Sequence, residues 1–288
     1  MFSQPFMQHA LFAGTAVALA AGLVGYFVVL RAAVFTADAL SHVAFTGALA
    51  ALALGVDLRL GLFVVTIGVA VGMGALGRRG RPDETVIGGV FAWILGLGVL
   101  CLSVFSSSAN GANGAGSVSV LFGSIYGLSA SRAIATAIIA AITCAIVLLI
   151  ARPLLFASVD EAVAAARGVP VRLLGFGFLA LVGLATAEAT QVVGALQILG
   201  LLAAPAGAAM RLTDRPMRGL ALSAGIAVAS MWIGLVVSYT VPQVPPTFAI
   251  IAVATLALIG SAGVGHLRRL SGSKSRRVRI ASRSEIAS

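Results

Sequence analysis

Two residues in this sequence stand out as able to hold a cation. They are Asp38 and His42, in "FTADALSHVAFTG" at 35–47, inside a segment that is otherwise hydrocarbon. Side chains four apart lie on one helical face, so a carboxylate oxygen and an imidazole nitrogen can aim at one point. Zinc accepts one O and one N donor at about 2.0–2.2 Å, and manganese or ferrous iron accepts the same pair. Two ligands bind weakly, which suits a site that must release its cargo; further ligands would come from elsewhere in the chain, from a second copy or from water. An Asp within a membrane span costs about 2.5–3.5 kcal/mol on insertion scales and marks ion or proton paths. The same spacing also fits a structural reading. Asp38 would pair with Arg31, seven residues back and about 10 Å along the helix, or cap the span, while His42 bonds a neighbouring carbonyl.

The elements that must position this pair are membrane spans. Of the 288 residues 60% are hydrophobic and 10% charged, so most of the surface cannot face water. The apolar stretches are long enough to cross about 30 Å of hydrocarbon as helices, and they lack the alternation of a membrane β-barrel. The first, "LFAGTAVALAAGLVGYFVVL", has no basic residue before it and reads as a retained span rather than a cleaved signal. Joints rich in charge, Pro, Gly or Ser divide the chain into nine spans near 10–30, 36–54, 60–77, 85–105, 131–153, 171–187, 192–210, 218–240 and 246–267. An eight-span count would make either the short sixth span or the half-helix-like 118–128 re-entrant. The fold class is therefore all-α, a polytopic helical bundle, with residues 1–267 as the transmembrane domain and 268–288 as a basic, Ser-rich cytoplasmic tail held near anionic lipid. The run "SSSANGANGAGS" at 106–117 reads as a flexible outer loop.

Net charge +10 suggests nucleic acid in a soluble protein, but here its placement encodes topology. With the C-terminus cytoplasmic and the N-terminus outside, seventeen of nineteen basic residues fall on the cytoplasmic side, and only Arg59 and Arg132 fall outside. Cys101 and Cys144 lie singly in different spans and read as packing residues. The sequence has no phosphate-binding P-loop, H-E-x-x-H or G-x-S-x-G motif, so no enzyme activity is expected and ATP-driven work would fall to a partner.

"DALSHVAFTG" resembles the D-A-[IL]-S-H-A-x-L-P-G segment of the permeases in zinc, manganese and iron importers of the ATP-binding-cassette class. Three further stretches match in the same order: "RRGRPDETVIGGVFAWILGLGV", "LFGSIYGLS" and "VVGALQILGLLAAPAGAAMRL". The resemblance covers roughly residues 10 to 265 and implies a type II importer-like permease in the cytoplasmic membrane. Its implied partners are a second copy of itself, cytoplasmic ATP-binding subunits, an extracytoplasmic metal-binding protein and membrane lipids. It implies that Asp38 and His42 are metal ligands at a gate in the cation path. Two departures are Ala37 for the family's Gly and Thr46 for its Pro, both bearing on helix bending near the site. In "SVDEAVAAARGVPVRLL", Glu161, Ala162 and Gly168 match the loop that couples such permeases to their ATPase. A short helix there would end at a left-handed Gly168, with Pro170 preventing continuation. The alternative for this segment is an ordinary interfacial helix.

Glu188, at the expected outer end of the sixth span, is a candidate for attracting a cation at the entrance, though the family pattern requires no acid there. His9 and His266 read as interfacial and helix-end residues, and Pro205 should bend the seventh span. Zinc is the preferred cargo because His is common in zinc sites, with manganese or iron as alternatives. A proton- or sodium-coupled carrier would also use an intramembrane Asp and His, but no convincing inverted repeat is present. A siderophore or vitamin importer would need a wider path.

Overall fold

The computed structural model describes residues 4–77, 82–107 and 121–263. Ten helices are present among them: α1 Pro5–Leu30, α2 Val34–Ala53, α3 Leu58–Leu76, α4 Glu84–Ser107, α5 Ala130–Val159, α6 Glu161–Ala166, α7 Val171–Val193, α8 Ile198–Leu212, α9 Pro216–Thr240 and α10 Pro246–Gly263. A 3-10 turn, Ile125–Gly127, precedes α5. Eight of the helices are long and apolar enough to cross a membrane. The charged stretch 78–81, most of the 106–117 run and the tail 268–288 lie outside the described residues, as does His266.

The core is built around α1, whose buried residues run along most of its length and which packs against α5, α7, α8 and α9. Small residues let the helices close in. A Cβ on Gly22 would lie 2.7 Å from Ala224 Cα, and Ser223 Oγ donates to the Gly22 carbonyl at 2.7 Å. Gly25 meets the Leu202 backbone of α8 in the same way. A second layer places α2 against α3, α4 and α7.

Span lengths differ from expectation in two places: α5 runs six residues past its expected end at 153, and the sixth and seventh spans exchange lengths. The sixth span, expected to be short, is the 23-residue α7, and the seventh is the short one, the 15-residue α8. At 1.5 Å per residue α8 covers about 22 Å, less than the hydrocarbon thickness. The cause is Gly194, with φ +93° and ψ 153°, which ends α7 and postpones the next helix to Ile198. The helix α8 continues through Pro205. In the stretch 118–128, described from residue 121, Leu121 and Phe122 are helical and the 3-10 turn follows at Ile125–Gly127.

That stretch is fastened to the α7–α8 break. Ser124 N–H donates to Gln191 O and Leu196 N–H to Leu121 O, both at 3.4 Å. Thr247 Oγ1 donates to Phe122 O at 3.0 Å, and the Tyr126 hydroxyl to Leu235 O at 3.2 Å. These bonds tie the segment to α7, α9 and α10 at one end of the bundle.

Candidate metal gate and its surroundings

Asp38 and His42 lie one turn apart on α2 and both are partly buried. The helix starts at Val34, because Arg31 and Ala32 form the turn after α1, with Ala32 at φ +54°. Asp38 is therefore about 6 Å into its helix rather than about 10 Å from a helical Arg31.

The structural alternatives for the pair are not formed. Among the described residues no hydrogen bond or ion pair holds the Asp38 carboxylate or the His42 ring nitrogens; the nearby Ser41 hydroxyl donates to the backbone carbonyl of Asp38 at 2.7 Å. Arg31 turns the other way, donating to Ser158 Oγ at 3.4 Å and stacking over the Phe178 ring at 4.9 Å. The His42 ring meets Phe91 of α4 edge-on, centroids 5.2 Å apart, and Phe35 meets the same ring at 6.1 Å. The face carrying the acid and the imidazole is thus bordered by aromatic rings, with its donor atoms uncommitted.

Thr46 occupies the family's proline position, and α2 runs unbroken through it. Its hydroxyl donates to Ile94 O at 3.3 Å, and a Cβ on Gly98 would lie 2.8 Å from Thr46 Oγ1. This departure therefore joins α2 to α4, the helix that carries Phe91.

Glu188 is elsewhere. Ala44 and Ala48, about 200° around α2 from His42 and its equivalents, cluster with Leu62 of α3 and Ala187 of α7. Glu188 is only 2% exposed, and the groups electrostatically coupled to it are Arg59 on α3 and Cys144 on α5. The structure does not bring it to the Asp38–His42 face. Among the described residues no cluster of three or more His, Cys, Asp and Glu is poised for a metal.

Near Glu188 the bundle end holds a cavity of about 290 Å³ lined by Asp57, Arg59, Ser124, Arg132, Thr190 and Gln191, among others. Sequence reasoning missed it, although one signal pointed there. Arg59 and Arg132, the two basic residues that break the charge segregation, meet in this one cavity.

At the opposite end, Asp160 caps α6 by accepting from Val163 N–H at 2.9 Å, and Glu161 and Ala162 form its first turn. Gly168 is left-handed at φ +81°, as expected, and Pro170 stands immediately before α7. The segment is a short capped helix between two long ones.

The family model for the ABC 3 transport family matches residues 3–264. The manganese transport system membrane protein MntC of Listeria monocytogenes is 30% identical over 235 residues, covering 81% of this chain and 82% of the relative. The chelated iron transport system membrane protein YfeD of Yersinia pestis is 28% identical, covering 83% of this chain and 78% of the relative. The solved structure of PsaBC from Streptococcus pneumoniae, in complex with Fab, superposes with TM-score 0.77 at 26% identity, covering 90% of this chain and 91% of that one. With eight helices fit to span a membrane and a match over nearly its whole length, the chain belongs to the ABC 3 transport family, the membrane permeases of metal importers of the ATP-binding-cassette class.

Proposed function

We propose that this permease carries a divalent transition-metal cation into the cytoplasm, with Asp38 and His42 as its gate ligands. The observation behind this reading is the pair itself: an acid and an imidazole one turn apart within a span, with their donor atoms uncommitted among the described residues. An intramembrane acid kept without a structural partner is expensive unless a cation uses it. Zinc, manganese and ferrous iron all accept an O plus N pair. The relatives are named for manganese and iron, which sets those two beside the zinc that histidine alone would favour.

The remaining ligands come from a second copy or from water, since the described residues supply no third His, Cys, Asp or Glu near the pair. The functional unit is a homodimer with cytoplasmic ATP-binding subunits and an extracytoplasmic metal-binding protein. Glu161, Ala162 and Gly168 of the capped α6 segment engage the ATPase. Its rigidity supports this role: Asp160 fixes one end, and Gly168 and Pro170 the other. The N-terminus lies outside and the C-terminus inside, by the charge segregation.

The test is ATP-driven uptake of zinc, manganese and iron, metal by metal, in proteoliposomes holding the permease with its ATPase. Asp38→Asn and His42→Ala should each reduce uptake of the cognate metal at least tenfold at unchanged expression, by loss of one ligand of a sparse set. Wild-type rates in both variants would remove the gate assignment. Uptake without the ATPase would instead identify an ion-coupled carrier.

A further inference from the structure

The cavity at the α3–α5–α7 end is built for a negative group. Its charged lining is Asp57, Arg59 and Arg132. Asp57 is engaged in capping α3, accepting from Arg59 N–H at 2.8 Å. Both guanidiniums line the same cavity, where their like charges disfavour each other. Arg59 Nη2 is buried with no hydrogen-bond partner among the described residues. Beside it, Glu188 is 2% exposed, and neither of its carboxyl oxygens has a partner there either. An unpaired buried donor and an unpaired buried acid, coupled electrostatically but not in contact, form a pair held open. A wall of two arginines also makes a poor entrance for a divalent cation.

We propose that this cavity receives one carboxylate group, held by Arg59 and Arg132, and that Glu188 is a nearby counter-ion that competes for Arg59 through its charge without contacting it. The chemistry selects the ligand. The lining carries one net positive charge, which a single carboxylate neutralises and a phosphate dianion overshoots. A planar guanidinium matches a carboxylate in a two-point contact, and Gln191 and Ser124 offer neutral donors at the same wall. Glu188 keeps occupancy weak, because its carboxyl is coupled to the same guanidinium. The carboxylate is either that of a small free acid or a side chain presented by a protein at this face. The proposal goes beyond the metal-gate reading and stands if that reading fails.

The test uses the full chain in lipid nanodiscs, with phenylglyoxal modification of arginine read by peptide mass spectrometry. The probes are butyrate, a Gly-flanked single-Glu peptide with both ends capped and inorganic phosphate. Either carboxylate probe should protect Arg59 and Arg132 in the millimolar range. Protection by butyrate identifies a free acid as sufficient, and protection by the peptide alone identifies a presented side chain. Glu188→Gln removes the competitor, so protection should need about tenfold less probe, corresponding to one charge interaction in this environment. Glu84→Gln, at the other end of the bundle, should change nothing. Failure of both carboxylates to protect Arg59, or equal protection by phosphate, overturns the carboxylate site. Wild-type protection with an unchanged Glu188→Gln response overturns the counter-ion role.

Discussion

Replacing Gly194 by alanine should loosen one end of the bundle by an amount that follows from two backbone distances. Gly194 and Gly123 cross each other with φ +93° and +75°. A Cβ on Gly194 would lie 2.5 Å from Phe122 C and 2.6 Å from Gly123 N, and one on Gly123 would lie 2.6 Å from Val192 O. Ordinary contact would require the strands of this crossing to part by about 0.8 Å, an overpacking cost of about 1–3 kcal/mol. Gly194 adds a backbone term of about 1–3 kcal/mol, because with ψ 153° it occupies a region open almost only to glycine. Together these give about 2–6 kcal/mol. The first bonds to stretch are Ser124 N–Gln191 O and Leu196 N–Leu121 O, already 3.4 Å each. The assay is thermal stability in detergent, read as the temperature at which half the protein stays monodisperse. A loss of about 4–24 °C is expected at roughly 2–4 °C per kcal/mol. Gly123→Ala should behave similarly, and the double variant should lose less than the sum, since the first substitution has already parted the crossing. Gly68→Ala is the control, as Gly68 lies on α3 with open space where its Cβ would go. A Gly194→Ala protein as stable as the Gly68→Ala protein would refute the reasoning.

Asp160→Ala removes the cap of α6, costing that helix about 1 kcal/mol; metal uptake per ATP hydrolysed should fall while membrane insertion is unchanged, measured in proteoliposomes with the ATPase. Thr46→Val keeps the shape but deletes the hydroxyl bond to Ile94 O, so about 0.5–1.5 kcal/mol of α2–α4 association should go, seen as a lower denaturation temperature. Ser223→Ala removes the α9–α1 bond to Gly22 O, with a similar cost by the same measurement, whereas Ser223→Val should cost more because Gly22 leaves its backbone no room to retreat.

Hydropathy located every long helix to within a few residues, because in lipid a backbone span has no alternative to helix. The error at α7 and α8 is instructive. "AEATQ" reads as the polar end of a span, yet Thr186, Glu188 and Thr190 are buried within α7, where Thr190 Oγ1 donates to Thr186 O at 2.8 Å. Conversely "VVGALQ" reads as continuous apolar helix, yet Gly194 breaks it by its crossing with Gly123, a contact from a distant segment that no local pattern announces. Gly168 was legible because its role as a helix stop is local. The partner of Arg31 was not, since Ser158 lies 127 residues away.

The acid–imidazole pair was legible as a spacing, and the structure adds which face it occupies. On α2, His42 meets Phe91 of α4, while 44 and 48 look toward α3 and α7. Ala187, the neighbour of Glu188, clusters with that second face, and among the described residues no three His, Cys, Asp and Glu groups come together. The helix flanking the pair is α4, which in turn contributes few residues to the core and presents Trp93, Val99 and Leu100 outward. The cavity that holds Arg59 and Arg132 lies at the α3–α5–α7 end of the bundle and has no α2 residue in its lining, so a carboxylate bound there and a cation held by Asp38 and His42 would occupy separate compartments of one subunit.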